Sequence, residues 1–337
     1  MKLGQYAART DPGRKRRGNE DSYVSRPPLF AIADGMGGAR AGEVASALAA
    51  GALEESGAGL GGEAHVVELI QEANRRVHER ASTDAETSGM GTTITVALIE
   101  NDGTVTLGHV GDSRAYLLRD DRLEQLTDDH SLVAELVRRG ELSPQAAEVH
   151  PQRSVITRAL GTDPDVDVDA FSVTAQAGDV FLICSDGLSD MVDGEQIEAI
   201  VKTHRGDLDA AAKALVQAAN RAGGEDNITA ILFELVEGEP SGGEPDEQTR
   251  ELALPIDEED TLHPEDGVAP PPPATDGDAP APADTMIAAP AELDAAVAAQ
   301  ASPESPQAGM GRRLLALAVI AALVAVIIVL VWWGLAR

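Results

Sequence analysis

Short apolar runs, each stopped by glycine or aspartate, alternate along the first 236 positions with longer stretches whose apolar residues recur at helical spacing. Lys2 to Ala8 predicts a first strand, followed by a turn at Thr10-Asp11-Pro12-Gly13. Leu29-Phe30-Ala31-Ile32-Ala33 predicts a buried strand that delivers Asp34 into the glycines Gly35, Gly37 and Gly38, where tight backbone lets a ligand approach. Glu43 to Glu54 predicts an alanine-rich helix, and Glu63 to Ala81 a second one with Val66, Leu69, Ile70, Ala73 and Val77 as its packing stripe. Gly91 to Ile99 is β-rich, and Asn101-Asp102-Gly103 predicts a hairpin turn opening a run of antiparallel strands that lasts to about Leu126. Ser131 to about Gly161 predicts a mostly helical insertion with Pro144 near a helix start. Val166 to Val173 and Val180 to Ser185 return to strand, Glu195 to Thr203 and Leu208 to Ala222 to helix, and Ile228 to Val236 closes the domain. Grouped strands and grouped helices predict an α+β layered fold rather than a doubly wound parallel sheet.

The candidate chemistry sits where the apolar runs stop. Asp34 ends one run, Gly111-Asp112-Ser113-Arg114 follows Thr104 to Val110, and Asp186-Gly187 follows Val180 to Ser185 with Asp190 four residues on. Near the end the order is mirrored, Gly223-Gly224-Glu225-Asp226-Asn227 preceding Ile228 to Phe233. An ordinary Asp-Gly turn explains one such aspartate but not four, and aspartates at strand ends far apart in sequence can meet at one end of a sheet. The loop Arg16-Arg17-Gly18-Asn19-Glu20-Asp21 reads either as solvated surface or, if it enters that site, as a phosphate-binding guanidinium beside further metal-shell carboxylates.

Composition divides the chain. At 337 residues and 43% hydrophobic it can bury a substantial core, yet most of its 19 prolines and much of its formal charge of -31 fall in an acidic Pro/Ala-rich linker over 239–311. The folded part is only moderately acidic and offers no broad basic surface, which argues against nucleic acid as a partner. Cys184, the only cysteine, excludes an intrachain disulfide and suits a reducing compartment. A thiolate phosphatase loop needs an arginine six residues after the cysteine, and position 190 is Asp190. Leu314 to Ala336 is uncharged, rich in Ala, Val, Leu and Ile, and carries Trp332 and Trp333, which predicts one transmembrane helix within 312–337. Arg312 and Arg313 before it against Arg337 after it place the N-terminal bulk in the cytoplasm.

Positions 1 to about 236 resemble bacterial metal-dependent protein phosphatases of the type 2C (PPM) family. The resemblance rests on Arg16-x-x-Asn19-Glu20-Asp21, Asp34-Gly35-Met36-Gly37-Gly38, Met90-Gly91-Thr92-Thr93, Gly111-Asp112-Ser113-Arg114, Asp129-His130, Ile156 to Gly161, Ser185-Asp186-Gly187-Leu188 and Asp226-Asn227-Ile228-Thr229, in that order. It implies a 1–238 catalytic domain, monomeric, built as a sandwich of two antiparallel β-sheets flanked by α-helices, with a flap at 131–161. By resemblance Asp34 bridges two divalent metals, the Gly35 carbonyl is a ligand, Asp186 and Asp226 complete the pair, Glu20 and Asp21 stand in the shell, and Asp112 with Asp190 serves a third, weaker ion. Arg16 would hold the substrate phosphate. An all-oxygen set without Cys or His suits Mg²⁺ or Mn²⁺ better than Zn²⁺. Two departures stand out: Met36 replaces a histidine that many relatives use as general acid, leaving His109 and His130 as candidates that read more readily as structural, and Ser154 replaces a frequent asparagine.

The resemblance implies phosphoserine and phosphothreonine on proteins as substrates, with serine/threonine kinases and their targets as partners at a bacterial cytoplasmic membrane. A disordered tether of this length would span roughly 45–50 Å. Two other readings compete: a catalytically silent, membrane-anchored adaptor that binds phosphoproteins, and a two-metal hydrolase of nucleotides or small phosphoesters.

Overall fold

The computed structural model describes residues 1–37, 41–56, 61–147, 149–238 and 286–287. The readings of 239–311 as linker and 314–336 as a membrane helix therefore lie outside the described residues, apart from Met286–Ile287. Among the described residues no helix is long and apolar enough to cross a membrane.

Two antiparallel sheets stack face to face with helices outside them. The first is ordered β1 (Lys2–Asp11), β12 (Ile228–Val236), β11 (Asp179–Cys184), β7 (Arg114–Arg119) and β8 (Arg122–Gln125). The second runs β10 (Asp169–Thr174), β6 (Thr104–Val110), β5 (Ile94–Ile99), β3 (Leu29–Met36) and β2 (Asp21–Arg26), with the short β4 (Gly91–Thr92) on β3. Between the sheets Phe233 stacks on Phe30 at 4.7 Å and on Phe181 at 5.0 Å, and Tyr6 meets Phe30 edge-on. Offset ring stacking adds to the area these side chains bury, so the rings fix the two sheets against each other. Helices α1 (Ala41–Ser56) and α2 (Glu63–Thr83) cover the second sheet, where Val66, Ile70 and Val77 form the expected stripe. The first sheet is covered by α6 (Gly194–Thr203) and α7 (Leu208–Ala222), which bury Ile197, Val201 and Leu215.

Two expectations are corrected. The first strand does not stop at Ala8; Ala8 to Asp11 continue in register with Ile231 to Ile228, because the partner strand supplies hydrogen bonds that the local pattern does not reveal. The insertion at 131–161 is only partly helical: after α3 (Leu132–Arg138) and α4 (Pro144–Ala147) it proceeds through turns and β9 (Val155–Ile156). Gly140, at φ +74°, ends the first helix, and no apolar stripe follows to lengthen the four-residue α4. Met286–Ile287 pairs in parallel with Val155–Ile156.

Candidate metal centre

The four aspartates at the boundaries of apolar runs come from both sheets and share one end of the sandwich. Asp34 lies two residues before the end of β3 and Asp112 follows β6 in the second sheet, whereas Asp186 follows β11 and Asp226 precedes β12 in the first. Asp21 and Asp112 are buried, Asp34, Asp186 and Asp226 are half-buried, and Asp190 opens to solvent.

Their mutual field is strong. Burial first, then the charges of Asp21, Asp186, Asp226 and Asp112, holds the Asp34 carboxyl well above the usual range. Asp186 is raised in the same way by burial and by Asp112, Asp190 and Asp226. Burial pushes Asp21 to about 6 and Asp112 to about 7. Clustered carboxylates that repel one another out of water need a proton or a cation between them.

The residues around the aspartates explain the motifs. Asp34 is clamped through its backbone: its N–H donates to Thr93 Oγ1 at 3.1 Å, and its carbonyl accepts from Thr92 Oγ1 at 2.8 Å and Thr93 N–H at 2.9 Å. Asn227 anchors the loop before Asp21, accepting from Glu20 N–H at 2.8 Å and donating to the Pro12 and Gly18 carbonyls. One oxygen of Asp21 accepts from Ser185 Oγ at 2.9 Å and Thr229 Oγ1 at 2.5 Å. These two hydroxyls carry no periodic signal in the sequence. Arg114 and Asp129 form a two-armed pair at 2.9 and 2.6 Å beneath the Asp112 loop.

Gly35 sits where no side chain fits: a Cβ there would fall 2.1 Å from the Gly42 carbonyl oxygen and 2.7 Å from that of Glu20. The Glu20 carboxylate lies against Gly42, the second residue of α1, so the Gly35 backbone and the Glu20 side chain are neighbours. Arg16 is half-buried and paired with Asp226 at 2.7 Å, while the adjacent Arg17 is exposed.

The donor set fits hard divalent cations. Asp21 Oδ1 and Asp186 Oδ1 are buried without a hydrogen-bond partner, oxygens of the kind a hard cation takes. Among the described residues no three of these side chains already form a ready-made ligand cage. Asp226 is turned to Arg16 and to the Asn227 N–H, and one oxygen of Asp21 holds the two hydroxyls.

From Asp112, Asp186 and Asp190 a cavity of about 730 Å³ extends to Arg138, Arg153 and Ser154 of the 131–161 insertion. Neither Asp34 nor Asp226 forms part of its wall. No histidine of the described residues lines it either. Met36 packs with Ile156 and Ala159 as apolar filling beneath the insertion. His109 is fully buried against Thr95 and pushed down to about 4 by burial, and His130 is buried beside it at 4.8 Å between ring centres. Both act in packing and hydrogen bonding rather than at an open reaction face.

Comparison with known proteins agrees with this architecture. The sequence model described as Protein phosphatase 2C matches residues 14–228. The serine/threonine phosphatase stp of Listeria innocua is 44% identical over 238 residues, covering 67% of this chain and 94% of that protein. The serine/threonine protein phosphatase PstP of Mycobacterium tuberculosis is 41% identical over 238 residues, 69% of this chain and 45% of that protein. The crystal structure of the Mycobacterium tuberculosis phosphatase PstP/Ppp superposes with a TM-score of 0.66 at 40% identity, covering 70% of this chain and all of that one. A structure of the catalytic domain of PstP in complex with 2 manganese ions gives a TM-score of 0.64 at 37% identity, covering 70% and 99%. With the family sequence model spanning most of the sandwich and relatives above 40% identity along it, the chain belongs to the protein phosphatase 2C family.

Proposed function

We propose that this chain hydrolyses phosphoserine and phosphothreonine on other proteins at a centre of two Mn²⁺ or Mg²⁺ ions, with a third more weakly held. The observation that carries the reading is the convergence of Asp21, Asp34, Asp112, Asp186, Asp190 and Asp226 from two sheets, with buried carboxylate oxygens left without partners. Asp34, Asp186, Asp226 and the Gly35 carbonyl would hold the pair, with Glu20 and Asp21 around them, and Asp112 with Asp190 the third ion. Bound there, such ions supply a water acidic enough to attack phosphorus near neutral pH and a counter-charge for the phosphate oxygens.

The chain's own groups do the rest. The Thr92 and Thr93 bonds fix the Asp34 backbone before any ligand arrives, so little reorganisation accompanies binding. Arg16, paired with Asp226 at the rim of the cluster, would offer its guanidinium to the substrate phosphate. The cavity beside Asp186 and Asp190 is wide enough for a peptide side chain and its flanking backbone.

The 312–337 segment would anchor this domain at the cytoplasmic face of a bacterial membrane, facing serine/threonine kinases and their targets. A direct test compares a phosphothreonine peptide with a nucleotide and a small aryl phosphate under Mn²⁺. A clear preference for the peptide in kcat/KM is expected; equal or better hydrolysis of the nucleotide would contradict the substrate assignment.

A further inference from the structure

Several contacts that tie the 131–161 insertion to the domain meet on a residue with no part in the phosphate chemistry. His130 is 2% exposed. Its Nδ1 accepts from the Gly111 N–H at 3.0 Å, which leaves the ring proton on Nε2, 3.1 Å from the acceptor Asp169 Oδ2. Arg158 Nη1 donates to the other Asp169 oxygen at 2.7 Å and lies 3.1 Å from His130 Nε2 itself, so imidazole and guanidinium share one carboxylate and touch each other. The His130 main chain is used as fully: its N–H donates to the Gly111 carbonyl and its carbonyl accepts from Thr157 N–H, both at 2.8 Å.

Gly111 directly precedes Asp112. It holds φ +113°, and a Cβ there would fall 2.5 Å from Thr93 Cβ, so the loop has no slack on that side. Thr93 in turn bonds the Asp34 N–H and Ser113 Oγ. One ring thus holds the Asp112 loop through Nδ1 and, through Nε2 and Asp169, the Arg158 segment in which the insertion returns to the domain. A ring needed only to fill space would not require both nitrogens.

We propose that His130 is a positioning residue that couples the Asp112 carboxylate to the returning segment of the insertion, residues 149–161. Coupling of this kind is reciprocal: a cation on Asp112 steadies that segment, and a steadied segment tightens the cation. The inference rests on the assignment of Asp112 as a metal ligand made above.

Two substitutions separate the two nitrogens. In His130→Asn the amide oxygen stands near the former Nδ1 and keeps the Gly111 bond, whereas in His130→Gln the amide nitrogen stands near the former Nε2 and keeps the Asp169 bond. On the full chain, Mn²⁺ binding followed by electron paramagnetic resonance would be read beside amide exchange over 149–161, with and without saturating Mn²⁺. Asp112→Asn is the control and should lose both the weakest ion and the Mn²⁺-induced protection of 149–161. His130→Gln should weaken that ion by about tenfold or more, as loss of a group orienting a ligand typically does. His130→Asn should keep the ion within about twofold while the segment no longer gains protection from it.

The proposal is overturned if both folded variants behave as the parent, or if exchange over 149–161 ignores Mn²⁺ while Asp112→Asn still loses an ion. An unchanged ion count in Asp112→Asn would instead sink the metal assignment itself. Should neither His130 variant fold, the double variant Asp169→Ala with Arg158→Ala removes both neighbours of Nε2 and leaves the Nδ1 bond to Gly111 intact. It must uncouple exchange over 149–161 from Mn²⁺, and unchanged coupling there overturns the proposal.

Discussion

Individual side chains at the carboxylate end are held by neighbours with no chemistry of their own. Asp34 owes its placement to two threonine hydroxyls, and Glu20 owes its placement to the Asn227 amide and to the absence of side chains at Gly35 and Gly42. Gly35→Ala is therefore expected to destabilise the fold by about 1–3 kcal/mol through overpacking and to raise the Mn²⁺ needed for half-maximal activity; a denaturation midpoint and a metal titration would show it. A normal midpoint with a normal titration would mean that the backbone yields there freely. Asp34, Asp112, Asp186 and Asp226 were legible in the sequence because each lies at the boundary of an apolar run, beside glycine or asparagine. Ser185 and Thr229, which hold Asp21, were legible only as members of family motifs, since hydroxyls in buried strands carry no pattern of their own. The choice of Arg16 over Arg17 was likewise invisible to local pattern, because exposure, not identity, separates the two.

At the scale of elements, the site exists because two sheets end together. Strands β3 and β6 bring Asp34 and Asp112, β11 and β12 bring Asp186 and Asp226, and the Phe30, Phe181 and Phe233 stack fixes one pair against the other. Phe233→Ala should cost about 3–5 kcal/mol of stability, measurable by urea unfolding, and should lower activity as the sheets lose register. A loss below about 1 kcal/mol would show that the ring stack does not hold the layers. Most strands and helices were readable from period and turn signals; the pairing of β1 with β12, residues from opposite ends of the domain, was not. Neither was the broken course of the 131–161 insertion, where Gly140 and a chain of turns replace the expected helix. Pairing partners and turn sequences are set by tertiary contacts, which periodicity does not encode.

For the whole molecule, the concentration of negative charge makes metal content and stability one question. Asp21 and Asp112 are raised to about 6 and about 7 without metal, so their neutral forms favour the fold. That contribution is complete below the ordinary aspartate range and is lost as pH rises through those values. Metal-free protein should therefore melt lower at about pH 8 than at about pH 5.5, and Mn²⁺ should raise the melting midpoint more at the higher pH. Equal Mn²⁺ stabilisation at both values would contradict the electrostatic account of the cluster. The proposed anchor is tested by fractionation: the full chain should sediment with membranes and a chain lacking 312–337 should not. Recovery of both in the soluble fraction would remove the tether from the proposal.

The central claim is metal-dependent phosphate release from protein phosphothreonine at the aspartate cluster. The most direct measurement follows inorganic phosphate from a phosphothreonine peptide with Mn²⁺, with chelator, and with Asp186→Asn. Release that requires Mn²⁺ and falls by about a thousandfold or more in the variant is the predicted result, since a ligand lost from a group acting as a unit removes most of the rate. Release that persists in chelator, or an unimpaired Asp186→Asn, would contradict it.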